Sequence, residues 1–500
     1  MIRKPHHSSL LAALHTAGLV WALGLLMVVS ACTEWLDVSP KTQIKSDDNF
    51  SSEQGYKDAL TGVYLLMAGT QVYGQELTYG MLDAMGQYYT AMSASNPYQY
   101  DAAFDYANSG TEGRINGVWS SMYTAIANDN ELISRIDGAN SLGFTGRNYH
   151  LIRGEAYGLR ALMHFDLVRL WGEPYVRNAQ HKCVPYMKSL SADVTGLSTV
   201  AEALLSCLSD LDVAASELAV DPVTGTPDAT ADINYERDRG LKMNYYAVCL
   251  LQARIHLYMG DYAAALAAAR RVIDQSTFYF TPDREINVAE SAQRNRIFAE
   301  ELVFALYDTS LRTRYSTYFT SDNPQSLVMS EPSYQAVYEL FNAGFSGDYR
   351  YAYQTQELDG KYYSTKYMQP ASGGNTAYMF RLPMMRLSEA YYIAAECELK
   401  QNHDVGAAVA LLNTVRSHRN LTDGLSTALS EDETMDEVWK EYVKEFMGEG
   451  QLYYFYKRLN YEQIPVPTAV GNTVSYSYVV PNYVFPLPDD EIEYGGRSHE

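Results

Sequence analysis

The amino-acid sequence predicts a fold dominated by α-helices, in which antiparallel helix pairs of the tetratricopeptide kind alternate with long loops. Three observations support this fold class. Apolar residues recur at helical spacing through Trp119–Ile136 and Ile152–Trp171. Two later segments, 246–273 and 386–416, each contain two helical stretches joined by a short polar turn. The stretches between these helices show no regular period, which predicts loops.

The clearest single helix is predicted over Ile152–Trp171. Its apolar residues share one face, and the following Gly172-Glu173-Pro174 is expected to end the helix. Its polar residues are expected to lie off the apolar face: Arg153, Arg160, His164 and Arg169.

The two helix-turn-helix segments share a pattern. The first is predicted as Tyr246–Met259, a Gly260-Asp261 turn and Tyr262–Ile273, and the second as Arg386–Lys400, a turn over 401–404 and Val405–Arg416. Small residues flank both turns and allow two helices to cross closely. Either segment alone fits a generic helical hairpin equally well, but the two together favour a tetratricopeptide-like repeat.

Two long stretches lack a helical or strand period: Thr70–Gly117 and Phe278–Gly374. Both are rich in Tyr, Asn, Ser, Asp and Gly. Loops of this length inside a compact chain are usually functional or contain short elements of their own. We therefore expect a ligand to bind in these stretches.

The N-terminus has the order of a secretory signal. Arg3 and Lys4 precede the apolar run Ala17–Val29, and small residues lead to Cys32. The run rises only ~20 Å as a helix, against a hydrocarbon core of ~30 Å. The alternative is a membrane-spanning helix, in which Leu10–Thr16 would lengthen the apolar run. The residues before Cys32 resemble a lipobox, so residues 1–31 are expected to be a lipoprotein signal peptide and Cys32 the site of lipid attachment.

The chain is strongly acidic, with 38 basic and 60 acidic residues and a net charge of −22. Such a chain would be repelled by phosphate backbones, which argues against nucleic-acid binding. Uncharged or cationic ligands suit it better. The same charge also serves solubility, so it does not identify a ligand.

Four cysteines follow Cys32, and none has the spacing of a metal or redox pair. Three of them, Cys207, Cys249 and Cys397, fall on apolar helical faces and are expected to be small core residues. The histidines are scattered, and none pairs at metal-ligand spacing. The sequence therefore predicts no metal site and no cofactor.

Sequence signatures of enzymes are absent: the chain has no HExxH, GxSxG, P-loop or dinucleotide-binding pattern. A calcium-binding EF-hand pattern is also absent. A glycosidase would need two carboxylates across a cleft. Glu441, Glu445 and Glu449 share one helix face beside Lys440 and Lys444, which is more simply a solvent-exposed charged face. The chain is therefore not expected to be an enzyme.

Tyrosine is unusually abundant, with 43 residues. Its ring offers a flat apolar face and its hydroxyl a polar tip, which suits partly polar ligands such as sugars. Packing on the helical scaffold is at least as good an explanation for any single tyrosine. From loop placement and composition, the candidate ligand-binding residues are Tyr73, Asp83, Tyr88, Tyr89, Asn96, Tyr98, Gln99, Tyr100, Arg314, Tyr315 and Tyr318.

A series of short motifs runs through the whole chain in a fixed order. The motifs are Cys32–Val38, Ala59–Tyr64, Trp119–Tyr123, Arg153–Ala161, Arg169–Pro174, Arg386–Ala390, Leu412–Arg416, Gly448–Gly450 and Phe485–Pro488. Through these motifs the chain resembles the SusD/RagB family of nutrient-uptake outer-membrane lipoproteins.

The resemblance implies an α-helical fold built on tetratricopeptide-like pairs, with loops and small β elements forming a ligand face. It also implies a non-catalytic protein, lipid-anchored at the surface of the outer membrane. Such a protein captures oligosaccharide and passes it to a SusC-like TonB-dependent barrel transporter. Peptide cargo and a scaffold that binds only proteins remain as alternatives.

The resemblance implies one domain over 32–500 after the signal peptide. Its parts are expected to be an N-terminal helical part over 32–275, a loop-rich insertion over 276–380 and a C-terminal part over 381–500.

One departure from the family pattern follows Gly450, where an arginine and an aspartate are replaced by Leu452 and Phe455. Apolar packing is expected there instead of an ion pair, an exchange that proteins often tolerate.

Overall fold

The computed structural model describes residues 49–139, 143–191, 193–370 and 372–497. It forms two compact units, residues 1–55, of which only the last seven are described, and residues 56–500. The predicted signal peptide, Cys32 and most of the polar stretch after it lie outside the described residues. Among the helices of the described residues, none combines the length and apolar character needed to span a bilayer.

The described chain is mainly helical, as predicted. The helices are α1 (Glu53–Met67), α2 (Met81–Met85), α3 (Gln99–Ala102), α4 (Ser109–Ile136), α5 (Asn148–Trp171), α6 (Tyr175–Asn178), α7 (Val200–Glu217), α8 (Tyr245–Met259), α9 (Tyr262–Gln275), α10 (Asp283–Ile286), α11 (Leu311–Phe319), α12 (Glu331–Val337), α13 (Tyr349–Tyr353), α14 (Leu387–Cys397), α15 (Val405–Ser417), α16 (Glu431–Glu445), α17 (Gln451–Arg458) and α18 (Asp489–Tyr494).

Small antiparallel sheets accompany the helices. The strands are β1 (Lys182–Val184), β2 (Ser198–Thr199), β3 (Leu302–Tyr307), β4 (Val328–Ser330), β5 (Thr355–Leu358), β6 (Lys361–Ser364), β7 (Arg381–Arg386), β8 (Ile464–Val470) and β9 (Thr473–Val479). In the described chain they pair as β1-β2, β3-β7, β4-β6-β5 and β8-β9.

The two predicted helix pairs are confirmed, and they pack on each other. Gly260 takes a φ of +75° and ends α8, and the Asp261 side chain caps the first turn of α9. Between α14 and α15, His403 takes a φ of +53° and the Asp404 side chain caps the first turn of α15. Because α8 contacts α9, α9 contacts α14 and α14 contacts α15, the four helices form one continuous array.

Helix α5 packs between α4 and α7. Its polar residues were expected to lie off the apolar face, but Arg160, His164 and Arg169 are all buried. Arg160 donates two hydrogen bonds of 2.7 Å to the Asp210 carboxylate on α7. This ion pair compensates for the loss of water around the buried charge. The helix period predicted the apolar face correctly, but other segments also cover the polar side: α7 covers Arg160, the segment of Tyr186 covers His164, and α17 covers Arg169.

The two long stretches between helices are built from short elements, as expected for loops of this length. Thr70–Gly117 contains α2, α3 and the start of α4, while 278–374 contains α10 to α13 and β3 to β6. The loop character was predicted and the resemblance implied small β elements, but the position of these sheets in the second stretch was not predicted. Their strands have only three to six residues each, too few to show a period.

The prediction that Glu441, Glu445 and Glu449 form a solvent-exposed face is wrong. All three are buried, at most 3% exposed. Arg350 bonds to Glu441 at 2.8 Å and to Glu445 at 3.0 Å. The spacing correctly predicted that Glu441 and Glu445 share a face of α16, whereas Glu449 lies in the turn beyond the end of that helix. The arginines that pair with these glutamates come from other segments of the chain.

Further cations complete this buried network. Arg419 forms ion pairs with both Glu445 and Glu301, each at 2.6 Å. Arg386 forms ion pairs with Glu445 and Glu449. Lys366 donates to Glu449 at 2.8 Å. The carboxylates of α16 are therefore paired inside the protein, not placed across a cleft.

The remaining core predictions are confirmed. Cys207, Cys249 and Cys397 are fully buried in α7, α8 and α14. The predicted apolar packing on α17 is also present, since every residue of 452–455 is at most 4% exposed. Next to it, Arg169 lies over the ring of Tyr454, 3.5 Å from its centroid.

Candidate functional site

Tyr73 attaches the first loop to α5. Its hydroxyl donates to Asp166 Oδ2 at 2.7 Å, and Asp166 also pairs with Arg169. The Tyr73 side chain is 2% exposed. In this arrangement it offers no ring face to a ligand.

Asp83 holds the turn between α16 and α17. Its carboxyl accepts the backbone N–H groups of Gly448 and Gly450, the latter at 2.9 Å. Burial raises the pKa of Asp83 to about 8, although the two N–H groups act in the opposite direction. This carboxyl therefore stabilises the loop and does not face solvent.

Tyr88 and Tyr89 are also anchored inside the protein. The Tyr88 hydroxyl donates to the carbonyl of Val443 at 2.9 Å, and that of Tyr89 to the carbonyl of Tyr79 at 2.5 Å. Their side chains are 2% and 8% exposed. Their predicted contact with a ligand stays a prediction, and their burial argues against it.

Tyrosines from the two long stretches meet in the structure. Asn96 donates to the carbonyl of Ser326 at 3.0 Å and accepts from the backbone N–H of Tyr98. The ring of Tyr98 then lies 6.4 Å from that of Tyr318 on α11, and Tyr79 lies 5.9 Å from the same ring. The first loop and α11 thus build one aromatic cluster.

Polar groups surround this aromatic cluster. Gln75 Nε2 donates to the Tyr98 hydroxyl at 2.8 Å, and that hydroxyl donates to Glu76 at 3.2 Å. Burial raises the pKa of Glu76 to about 7. Arg114 lies 4.9 Å from the centroid of the Tyr98 ring and pairs with Asp101.

Helix α11 contributes Arg314, Tyr315 and Tyr318. Arg314 donates to the carbonyl of Gly74 at 2.6 Å and pairs with Asp308 at 2.7 Å, which ties α11 to the first loop. Tyr315 is buried against Phe319. Tyr318 is half-buried, so part of its ring is available to a ligand.

Two further predicted residues lie nearer the surface. Tyr100 is 48% exposed, and Gln99 is half-buried with its amide donating to the carbonyl of Ser93 at 2.5 Å. Both begin α3, directly after Tyr98. Tyr100 is therefore the most accessible ring among the predicted residues.

The prediction missed three residues around the cluster: Gln75, Glu76 and Arg114. Gln75 and Glu76 lie between two tyrosines already singled out, so their position in the first loop was a usable signal. Arg114 lies within a predicted loop but belongs to α4. Its approach to Tyr98 depends on the fold alone.

A cavity of about 660 Å³ lies elsewhere, between the end of α5 and the C-terminal segment. Trp171, Phe485, Lys182 and Arg497 are among its lining residues, and none of the predicted site residues lines it. In the described part of the chain, no three His, Cys, Asp or Glu side chains come together to hold a metal ion.

Two family profiles match successive parts of the chain. A profile described as starch-binding and associating with the outer membrane matches residues 34–229, and the SusD family profile matches residues 224–493. The chain belongs to the SusD family. The resemblance inferred from the motifs is thereby confirmed.

Similar proteins support the same family. SusD-like protein P25 of Formosa agariphila is 22% identical over 300 residues, which cover 56% of this chain and half the length of that relative. A solved SusD superfamily protein from Bacteroides thetaiotaomicron is 25% identical with a TM-score of 0.67, over 89% of this chain and 98% of that chain.

A second solved structure shares the fold. It is a SusD-like carbohydrate binding protein from Bacteroides vulgatus, 17% identical with a TM-score of 0.66 over 89% of this chain and 97% of that chain. The predicted helix-dominated fold class is confirmed by these structures. At this sequence identity, the similarity shows a shared fold and says nothing about the ligand.

Proposed function

We propose that this SusD-family chain is a non-catalytic surface protein that captures an oligosaccharide and passes it to a partner TonB-dependent outer-membrane transporter. The observation that carries the proposal is the meeting of Tyr98 and Tyr318, from two distant loops, beside polar side chains. The binding described for similar proteins supports the carbohydrate class.

The chemistry of the cluster suits a sugar. The C–H groups of a sugar ring pack on aromatic faces, and its hydroxyls need donors and acceptors nearby. Within the cluster, Tyr318 supplies a partly exposed ring and Gln75 an amide beside Tyr98. Tyr100 supplies an exposed ring two residues after Tyr98. An extended peptide would instead need unpaired backbone groups and fewer rings.

We expect Tyr318→Ala to weaken glycan binding about tenfold, since one stacked ring contributes roughly 1 kcal/mol or more. Tyr100→Ala is expected to act in the same direction. Isothermal titration against a glycan panel measures both. Tyr279→Ala is the matched control, because this tyrosine is 57% exposed and lies in the same long stretch as Tyr318 but outside the cluster.

Several outcomes would contradict this site. If Tyr318→Ala binds the same glycan as tightly as wild type, the ligand lies elsewhere, for example in the cavity beside Trp171. Binding of peptides but of no glycan would show that the cargo is a peptide. Affinity for proteins alone would leave only a scaffold role, and release of shortened glycans would show an enzyme.

The proposed location depends on Cys32. We expect Cys32→Ala to move the protein from the membrane fraction to the soluble fraction, because lipid chains supply the anchor. Cell fractionation with surface proteolysis measures this. Cys249→Ala is the control, since it removes a buried thiol of the described fold. Retention of the Cys32→Ala variant in the membrane would contradict lipid anchoring.

A further inference from the structure

The hairpin formed by β8 and β9 lies in an uncharged part of an acidic chain. From Gln463 to Pro488 there is no Asp, Glu, Lys, Arg or His, although charged residues make up 20% of the whole sequence. The hairpin is also exposed, with Tyr478 at 58% and Val470 at 62%. Exposed apolar surface of this kind marks interaction sites more often than chance.

The register of the hairpin determines which backbone groups face outward. Pro465 pairs with Tyr478 and Pro467 pairs with Tyr476. Proline has no N–H, so these pairs occupy the non-hydrogen-bonded positions of the antiparallel ladder. The N–H and C=O groups of Tyr476 and Tyr478 therefore point away from β8.

The two edges of the hairpin differ. Strand β8 packs against α12, and with Pro465 and Pro467 at two of its outward-facing positions only Ala469 keeps an outward N–H there. Strand β9 has neither proline nor charge, and among the described residues no backbone hydrogen bond joins its outer edge to another segment. By contrast, the outer strand β5 of the three-stranded sheet carries Glu357.

The surroundings of β9 are acidic. Its Tyr476 ring lies 6.0 Å from Trp439 on α16, and the N-terminal half of that helix carries five acids among its first seven residues. After the larger effect of burial, Lys440 lowers the pKa of Tyr476 while Glu339 and Asp436 raise it, and Lys440 is itself paired with Glu339 and Glu437. The hairpin therefore presents a neutral strand next to a helix that carries an excess of acids.

We propose that the outer edge of β9 binds an extended strand of a partner protein, which is uncharged along its length and carries a lysine or arginine at its end. The open donors and acceptors of Tyr476 and Tyr478 pair with the backbone of that strand. The basic side chain faces the acids of α16. A second copy of this chain fits less well, because it would bring two acidic helices together.

The test uses full-length protein and a fluorescent peptide of alternating threonine and valine with a lysine at each end. Saturable binding is expected by anisotropy. Tyr478→Pro is expected to weaken it about tenfold, because it removes one outward N–H and adds a ring at the edge, while the bonds to β8 remain. Tyr478→Ala keeps the N–H and is expected to bind nearly as wild type.

Two peptide controls avoid any change to the protein. A peptide with glutamate ends is expected to bind about tenfold more weakly at low salt, and one with alternate N-methylated amides is expected not to bind. Equal binding by all three peptides, or equal weakening by Tyr478→Ala and Tyr478→Pro, overturns the proposal. Dimerisation of wild type that Tyr478→Pro abolishes assigns the edge to a second copy instead.

Discussion

Glu445→Ala is expected to lower the free energy of unfolding by about 3–5 kcal/mol, because it removes one member of a buried charge network. The Glu445 carboxylate faces Arg350, Arg386 and Arg419 in a site that excludes water. Without it, these guanidinium groups lose a shared partner. Replacing a whole buried network with apolar residues is often tolerated, whereas removing one member leaves uncompensated charge.

Chemical denaturation of the variant, followed by circular dichroism, measures this loss. Asp432→Ala is the matched control, since Asp432 lies on the same helix but is exposed. We expect the control to change the free energy of unfolding by about 0.5 kcal/mol or less. Equal stability of Glu445→Ala and Asp432→Ala would show that the network contributes little.

The same network predicts a direction of pH dependence. Burial alone would raise the pKa of Glu441, but Arg350 and neighbouring cations lower it to about 2, from 4.5 in the unfolded chain. Arg419 and Arg386 likewise hold the pKa of Glu445 well below its usual range. This stabilisation is complete above pH ~4.5 and is lost as the pH falls through the folded values.

Gly450→Ala is expected to lower the free energy of unfolding by about 3 kcal/mol or more. Gly450 has a φ of +69°, which alone costs an alanine about 1–2 kcal/mol. An added Cβ would also lie 2.5 Å from the carbonyl oxygen of Leu77 and 3.2 Å from Leu82 Cβ. Since Gly450 also donates to Asp83, the variant would loosen the contact between the first loop and α17.

Gly471→Ala separates the two causes of this effect. Gly471 has a similar φ of +62°, but nothing lies within 4 Å of an added Cβ there. We expect this control to lose only about 1–2 kcal/mol, the cost of the backbone conformation. Thermal and urea unfolding of both variants give the comparison. If both lose the same free energy, close packing at Gly450 contributes nothing.

The residue types of the candidate site could be predicted from the sequence, but their arrangement in space could not. The sequence placed Tyr98 and Tyr318 in two tyrosine-rich stretches, and the structure brings them within 6.4 Å. It could not separate them from Tyr73 and Tyr88, whose hydroxyls bond to buried groups. A tyrosine that packs inside and one that meets a ligand have the same local sequence signature.

The sequence by itself determined the helices over 119–136 and 152–171, the two helix pairs and the family. These depend on local information: apolar period, capping residues such as Asp261, and motifs in a fixed order.

Tertiary structure alone decided which polar residues are buried and which edges are open. Glu445 has the spacing of a solvent-exposed residue, but Arg350 and Arg386 come from segments 95 and 59 residues away. Burial of a charge depends on partners that the fold brings together, and a single sequence carries no record of that pairing.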